Sequence, residues 1–165
     1  MRDMRETPSL PDYAFQLAFK VAHRLLRGFW LVRRPYTRGA LVALWSSGDL
    51  LIVKNSYRRH YTLPGGYIRS DETPSEAGAR ELAEECGIYL QPEMIQQVYN
   101  GIHPFEFRQD DVSIGEAQVE ERPPIRIDHR EVVDARFYSV DAALKLPLVP
   151  HLAEYLAARS ARPIS

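Results

Sequence analysis

The stretch that decides the fold is LPGGYIRSDETPSEAGARELAEECGIYL, residues 63–90. Six carboxylates and a single arginine fall within the fifteen positions from Asp71 to Glu85. Like charges three or four residues apart on a helix repel each other and destabilise it. The sequence therefore predicts that a positive charge is bound beside this segment.

Helix signals surround the acidic cluster. Thr73 is a favourable N-cap, Pro74 suits the first helical position, and Glu76 completes a capping box. Gly87 is a favourable C-terminal cap. These signals predict a helix over residues 74–86.

The predicted helix has an anionic side and a core side. At about 100° per residue, its anionic side carries Glu81, Glu84 and Glu85. Its apolar side carries Ala79, Leu82, Ala83 and Cys86. Converging carboxylates suit Mg²⁺ or Mn²⁺ rather than zinc, and the unobstructed Gly65 carbonyl could complete the shell. Because Mg²⁺ often also binds substrate phosphates, the sequence predicts a cation site for a phosphorylated ligand.

Gly66, Glu72 and the run RELAEECGI from Arg80 to Ile88 look like the complete signature box of the Nudix hydrolase family. With seven polar or glycine positions at about 7% each, a chance match is on the order of 10⁻⁸. The order of elements over roughly residues 37–160 also resembles that family. The resemblance implies an α/β/α sandwich with a mixed β-sheet, and hydrolysis of the pyrophosphate bond of a nucleoside diphosphate linked to another group.

The same resemblance implies roles for individual residues. The implied metal ligands are the Gly65 carbonyl, Glu81, Glu84 and Glu85. Glu72 and Arg80 would pair and hold the loop against the helix. Which carboxylate takes the proton from the attacking water differs among subfamilies: some use a glutamate of the box and others a later one. Glu131 resembles the later glutamate, with Glu120, Glu121 and Asp128 as rivals and an exposed surface charge as the alternative.

The segment NSYRRHYTLPGG, residues 55–66, offers contacts for a nucleotide. Arginines bind phosphates and tyrosines stack on bases, although a basic surface loop would look the same. The candidate substrate contacts are Arg58, Arg59, His60, Gly66 and either Tyr57 or Tyr61. Pro104 lies sixteen residues after Ile88, which resembles the marker of members that hydrolyse ADP-ribose. ADP-ribose or another nucleoside diphosphate sugar is favoured, with an oxidised nucleoside triphosphate, or a nucleotide sensor without turnover, as alternatives.

Length and composition fit one domain in a reducing compartment. The chain has 165 residues, 45% of them hydrophobic, and Cys86 is its one cysteine, so the cytoplasm is expected. Residues 1–38 carry eight Lys/Arg and three Asp/Glu, which leaves the remainder at −6, so nucleic acid is not an expected partner. No apolar run is long enough to span a membrane.

An amphipathic helix is predicted over residues 11–30, within an extension over residues 1–36 that precedes the hydrolase domain at 37–165. Its apolar positions are Ala14, Leu17, Ala18, Val21, Leu25 and Phe29. We expect this face to pack on the same domain or on a second subunit, with a membrane surface as the alternative. The flanking sequence predicts a hairpin of ALVALW (40–45) and LLIVKN (50–55), later strands, and a closing helix at VPHLAEYLAAR.

Overall fold

The computed structural model describes residues 8–160, except for the side chains of Phe105, Arg108 and Ser160. Its helices are α1 Leu10–Arg33, α2 Pro74–Cys86, α3 Val140–Ala143 and α4 Pro150–Ser160, with a short 3₁₀ helix at Pro92–Met94. Its strands are β1 Tyr36–Ser46, β2 Asp49–Asn55, β3 Tyr61–Thr62, β4 Gly65–Tyr67, β5 Gln96–Phe105, β6 Arg108–Val119 and β7 Val132–Tyr138. The elements alternate as the sequence predicts, behind a leading helix.

The strands form one mixed sheet with β1 at its centre. The order β3-β2-β1-β6-β5 forms the main path, while β4 pairs with β1 and β7 pairs with β2. The long pairing between β1 and β6 is parallel, and the other strand pairs are antiparallel. The predicted hairpin is confirmed: Ser46 pairs with Asp49 across a turn in which Ser47 and Gly48 both have positive φ.

Two buried clusters cover the two faces of the sheet, because β1 and β2 are buried on both sides. The first cluster joins the sheet to α4 through Leu152, Tyr155 and Leu156. The second joins it to α2 through Ala79, Leu82 and Cys86. The α/β/α arrangement is therefore confirmed, and the apolar side of α2 is the side predicted.

Helix α2 has the predicted ends. The Thr73 side chain accepts a hydrogen bond from the Glu76 N–H, and the Glu76 carboxylate accepts one from the Thr73 N–H at 2.7 Å. Gly87 ends the helix with φ of 67°. Its packing against the sheet is close, since a Cβ on Gly78 would lie 2.7 Å from Val42. The acidic side of α2 is thus held at a fixed distance from β1.

Helix α1 contacts the rest of the protein through a face that the sequence did not predict. Gln16 Nε2 donates to the His129 carbonyl at 2.7 Å, and Asp12 pairs with Arg130 at 3.2 Å. Buried positions on α1 are His23 and Trp30. The predicted apolar face lies exposed instead, with exposed fractions of 62% for Leu17 and 71% for Leu25. Packing of that face on its own domain is therefore wrong, because the face about 180° away makes the contacts.

No helix among residues 8–160 combines the length and the apolar character that crossing a membrane requires.

Gly65 should be needed for the fold, because its φ is 151° and a Cβ there would lie 2.2 Å from the Ala40 carbonyl oxygen. We expect Gly65→Ala to lower the free energy of unfolding by roughly 2 kcal/mol or more. Gly28→Ala is the matched control: nothing lies within 4 Å of its Cβ position, so it should be neutral or slightly stabilising. Urea unfolding of both variants measures the difference, and equal stabilities would contradict the expectation.

Candidate active site

A cleft of about 370 Å³ lies where the Gly65–Gly66 segment meets the acidic side of α2. Residues from β1, β2, β4, β6 and α2 line it, together with Glu131 just before β7. The lining set includes the three glutamates of the acidic side: Glu81, Glu84 and Glu85. The structure therefore brings together chain segments that are distant in sequence.

Glu72 and Arg80 form the pair that the resemblance implies. Arg80 Nε donates to Glu72 Oε1 at 2.6 Å, and its Nη2 donates to Glu72 Oε2 at 2.9 Å and to the Tyr67 carbonyl at 3.1 Å. Two parallel hydrogen bonds from one guanidinium orient the carboxylate and also stabilise its ionised form. The Arg80 hydrogen bonds hold the pKa of Glu72 at about 2. Arg80 thereby ties the loop between β4 and α2 to the helix.

Arg80 also binds the carboxylates next to it on α2. Its Nη1 lies 2.6 Å from Glu81 Oε1 and 3.4 Å from Glu84 Oε2. Burial raises the pKa of Glu81, and the Arg80 hydrogen bond partly offsets that effect. Glu84 is the outermost of the three glutamates, with its side chain 55% exposed.

Glu85 points into the protein rather than toward Arg80. Its Oε2 accepts a hydrogen bond from the Gly65 N–H at 3.0 Å, and the Asn55 side chain bonds to it as well. Burial raises the pKa of Glu85 to about 8, and the charges of Glu81 and Glu131 add to the shift. A carboxyl in this environment is costly to ionise unless a cation lies beside it.

The oxygen-rich lining fits a hard divalent cation, but not as a ready-made cage. Among residues 8–160, no group of three or more His, Cys, Asp or Glu side chains has the arrangement of a preformed metal site. Glu81, Glu84 and Glu85 do line one cleft, and Arg80 Nη1 contacts the first two of them. Mg²⁺ commonly takes one or two carboxylates plus waters and phosphates, which Glu81 and Glu85 could supply. A Cβ on Gly66 would lie 2.5 Å from the Glu81 carboxylate, so only glycine permits that approach.

Glu131 lies in the cleft, whereas its rivals do not line it. Tyr57 Oη donates to Glu131 Oε1 at 2.9 Å, and burial of the Tyr57 hydroxyl raises its pKa. Glu120 and Glu121 are exposed, and Asp128 accepts hydrogen bonds from the Arg130 and Glu131 backbone N–H groups. Of the four carboxylates that were candidates for the later glutamate, Glu131 is the one that lines the cleft.

Three of the expected substrate contacts, Arg59, His60 and Tyr61, lie outside the cleft. Arg58, Tyr57 and Gly66 line it, but Arg59 is exposed and Tyr61 is not among the lining residues. Tyr61 packs instead against the core cluster on the α4 side, with its ring 6.5 Å from that of Tyr138. Pro104, the marker for ADP-ribose, and His60 also lie outside the lining set.

Sequence reasoning missed several polar residues in the lining, among them Asn55, Asp110 and His151. All three are buried, with exposed fractions of 4% to 6%. Asp110 accepts a hydrogen bond from the Thr37 hydroxyl. They come from the ends of β2 and α4 and from β6, and no local motif marks them. The one signal available was a polar residue within an otherwise apolar strand, as at Asn55.

Comparison with known proteins identifies the family. A family model described as the NUDIX domain matches residues 35–158. The chain therefore belongs to the Nudix family, and α1 lies outside the matched region.

Known relatives agree with this assignment. Phosphatase NudJ of Escherichia coli is 34% identical to this chain over 73 residues. The aligned region covers 43% of this chain and 47% of NudJ, so the chain spans about half the length of the curated relatives it matches. An Ap4A hydrolase from C. elegans shares 19% identity over 76% of this chain and 96% of its own, with a TM-score of 0.65. A bifunctional NMN adenylyltransferase/ADP ribose pyrophosphatase from Francisella tularensis, complexed with AMP and Mn ion, shares 17% over 87% of this chain and 48% of its own, with a TM-score of 0.67. At these identities the two solved structures show the fold alone.

The Glu72–Arg80 pair should make the free energy of unfolding depend on pH in the acidic range. The folded pKa of Glu72 is about 2 and its ordinary value is 4.5. The pair therefore contributes fully above about pH 4.5, and its contribution is lost as the pH falls toward 2. We expect Glu72→Gln to flatten the loss of stability in that window, as measured by urea unfolding at several pH values.

Glu93→Gln is the control for this prediction, because Glu93 is exposed on the short 3₁₀ helix and has no part in the pair. It should keep the wild-type slope. An equal slope for Glu72→Gln and wild type would show that the pair does not stabilise the loop.

Proposed function

We propose that this protein is a Mg²⁺- or Mn²⁺-dependent hydrolase that cleaves the pyrophosphate bond of a nucleoside diphosphate linked to another group. The observation that carries the proposal is the position of Glu85, a buried carboxyl that accepts a hydrogen bond from the Gly65 N–H and lines one cleft with Glu81 and Glu131. Membership of the Nudix family supports it. The oxygen donors and the close glycine pair suit a hard cation and a phosphate chain.

Glu81 and Glu85 would hold the cation, with Glu84 and the Gly65 carbonyl as further ligands. When bound, the cation neutralises charge on the transferring phosphoryl group and lowers the pKa of water. Arg80 and Glu72 would act as positioning residues, since they fix the loop and the orientation of Glu81. The Mn ion in the Francisella tularensis structure supports a divalent cation.

Glu131 would accept the proton of the attacking water. Its hydrogen bond from Tyr57 orients the carboxylate, and its side chain faces the cleft that Glu81 and Glu85 line. Arg58 would bind a phosphate oxygen, since it lines the same cleft and carries a fixed positive charge.

ADP-ribose or another nucleoside diphosphate sugar is the substrate class that we favour. The spacing from Ile88 to Pro104 supports it, as does the ADP ribose pyrophosphatase among the similar structures. Nucleoside triphosphates, oxidised ones included, are the alternative, and a sensor without turnover is the second. Cys86, which is buried and free, suits a reducing compartment, and we propose the cytoplasm.

Glu131→Gln should lower kcat by roughly 10² to 10⁴-fold with little change in KM, because the water would lose its proton acceptor. Glu121→Gln is the control: it is an exposed carboxylate outside the cleft and should keep wild-type activity. The assay is hydrolysis of ADP-ribose, nucleoside diphosphate sugars and nucleoside triphosphates, with Mg²⁺, with Mn²⁺ and with chelator. Turnover that persists in the presence of chelator, or that is equal in Glu131→Gln and Glu121→Gln, would refute the mechanism. Absence of turnover on every substrate would favour a nucleotide sensor without catalytic activity.

Helix α1 supports a second proposal, contact with an anionic membrane surface. Its outward side carries exposed apolar residues: Leu10, Leu17, Val21, Leu25, Phe29 and Val32. Lys20, Arg24 and Arg33 are exposed on the same helix. An apolar stripe bordered by basic residues is typical of helices that lie in a lipid interface. A homodimer in which this stripe packs on a second copy is the alternative.

The double variant Leu25→Ser/Phe29→Ser should weaken binding to vesicles of phosphatidylglycerol and phosphatidylcholine by roughly tenfold or more, since each side chain would lose apolar burial. Tyr89→Ser, at a position 84% exposed outside α1, is the control. Flotation measures binding, and high salt should weaken it. No flotation of the wild type would contradict the proposal, and a dimer in light scattering that the double variant abolishes would favour the second copy.

A further inference from the structure

A second compartment opens beside the catalytic cleft. It has a volume of about 180 Å³ and shares lining residues with the cleft: Tyr57, Arg58, Tyr67 and Glu131. The rest of its lining comes from α1: Phe19, Ala22, His23, Leu26 and Trp30. The two spaces adjoin through shared side chains, and a helix outside the Nudix match forms the far wall.

The walls of this compartment are mainly aromatic and apolar. The rings of Phe19 and Tyr57 stack with centroids 6.1 Å apart and an interplanar angle of 28°. The His23 ring lies 4.9 Å from that of Tyr57 and 6.0 Å from that of Trp30. Aromatic faces of this kind suit the flat ring of a nucleobase, which gains stacking energy from them regardless of its identity.

Polar contacts fix the inner face of α1 at this place. His23 Nε2 lies 3.1 Å from Glu106 Oε1, at the turn between β5 and β6, and both side chains are largely buried. Gln16 and Asp12 hold the preceding turns of the helix through the His129 carbonyl and Arg130. These contacts hold the inner face of α1 in place, and the exposed apolar residues on its outer side take no part in them.

Arg58 lies at the junction of the two spaces. Its guanidinium sits over the Tyr57 ring at 5.5 Å, and its Nε lies 3.7 Å from Glu106 Oε2. A nucleotide whose base occupied the compartment would carry its phosphates past Arg58 toward Glu81 and Glu85. The aromatic compartment, Arg58 and the glutamates therefore follow one another in the same order as the base, the phosphate chain and the bond to be hydrolysed.

We propose that α1 supplies the nucleobase subsite of this enzyme, with the base held among Phe19, Trp30 and Tyr57. The inference rests on the proposed function. If it is correct, α1, which lies outside the matched family domain, contributes to substrate specificity. Diphosphates with an aromatic base should therefore bind better than diphosphates without one.

Ala22→Phe tests the subsite, because Ala22 lines the compartment and a larger side chain would fill it. Ala18→Phe is the matched control: it is an exposed alanine on α1 outside the lining set. We expect KM for ADP-ribose, or for the best nucleotide found, to rise roughly 10 to 100-fold in Ala22→Phe only. Inhibition by inorganic pyrophosphate should be unchanged in both variants. Equal KM values would overturn the inference while leaving the hydrolase assignment intact.

Fluorescence tests the same subsite without turnover. The chain has two tryptophans, Trp30 in the compartment and Trp45 in the core. AMP should quench the emission of the wild type, whereas inorganic pyrophosphate should not. Trp30→Phe should abolish the quenching, and Ala22→Phe should shift the titration to higher AMP. Quenching that persists in Trp30→Phe, or no quenching in the wild type, would overturn the inference even if every hydrolysis assay failed.

Discussion

Arg80 contacts three of the carboxylates that the sequence crowds around α2: Glu72, Glu81 and Glu84. Like charges at helical spacing repel each other, and this guanidinium reduces the repulsion from inside the same helix. It also fixes the loop before α2 through Glu72 and the Tyr67 carbonyl. One side chain thus sets both the electrostatics of the helix and the course of the glycine segment beside it. Glu85 lies apart from this network, and its buried carboxyl is hydrogen-bonded by the Gly65 N–H and the Asn55 side chain instead.

The glycine segment and α2 depend on each other. Gly65 approaches β1 so closely that a Cβ would meet the Ala40 carbonyl, and its N–H donates to Glu85. Gly66 lies against the end of the Glu81 side chain, which approaches it closely. The absence of a side chain at Gly78 lets α2 pack closely against Val42 of β1. The carboxylates therefore keep their positions through backbone packing rather than through exposed side-chain contacts alone.

Local signals predicted the parts of this protein that local interactions determine. The ends of α2 follow from Thr73, Glu76 and Gly87, and the β1-β2 hairpin follows from the turn at Ser47 and Gly48. The glutamates of the box follow from spacing within one helix. Asn55, Asp110 and His151 could not be found in this way, because the cleft joins them across the sheet. Nearness in sequence was also misleading for Arg59 and Tyr61, which lie within three residues of Arg58 but do not line the cleft. Arg59 is exposed, and Tyr61 lies on β3 and packs against the core cluster.

Helix α1 shows why an amphipathic pattern alone does not identify a packing face. Periodicity finds the apolar side, but the contacts with the domain come from Gln16, His23 and Trp30 on the other side. The apolar stripe of α1 thus faces outward while its polar and aromatic face packs inward, so the helix has two chemically different surfaces. The inner surface adjoins the cleft and the outer one carries apolar and basic residues. Because one helix bears both, the two surfaces lie about one helix diameter, 10–12 Å, apart.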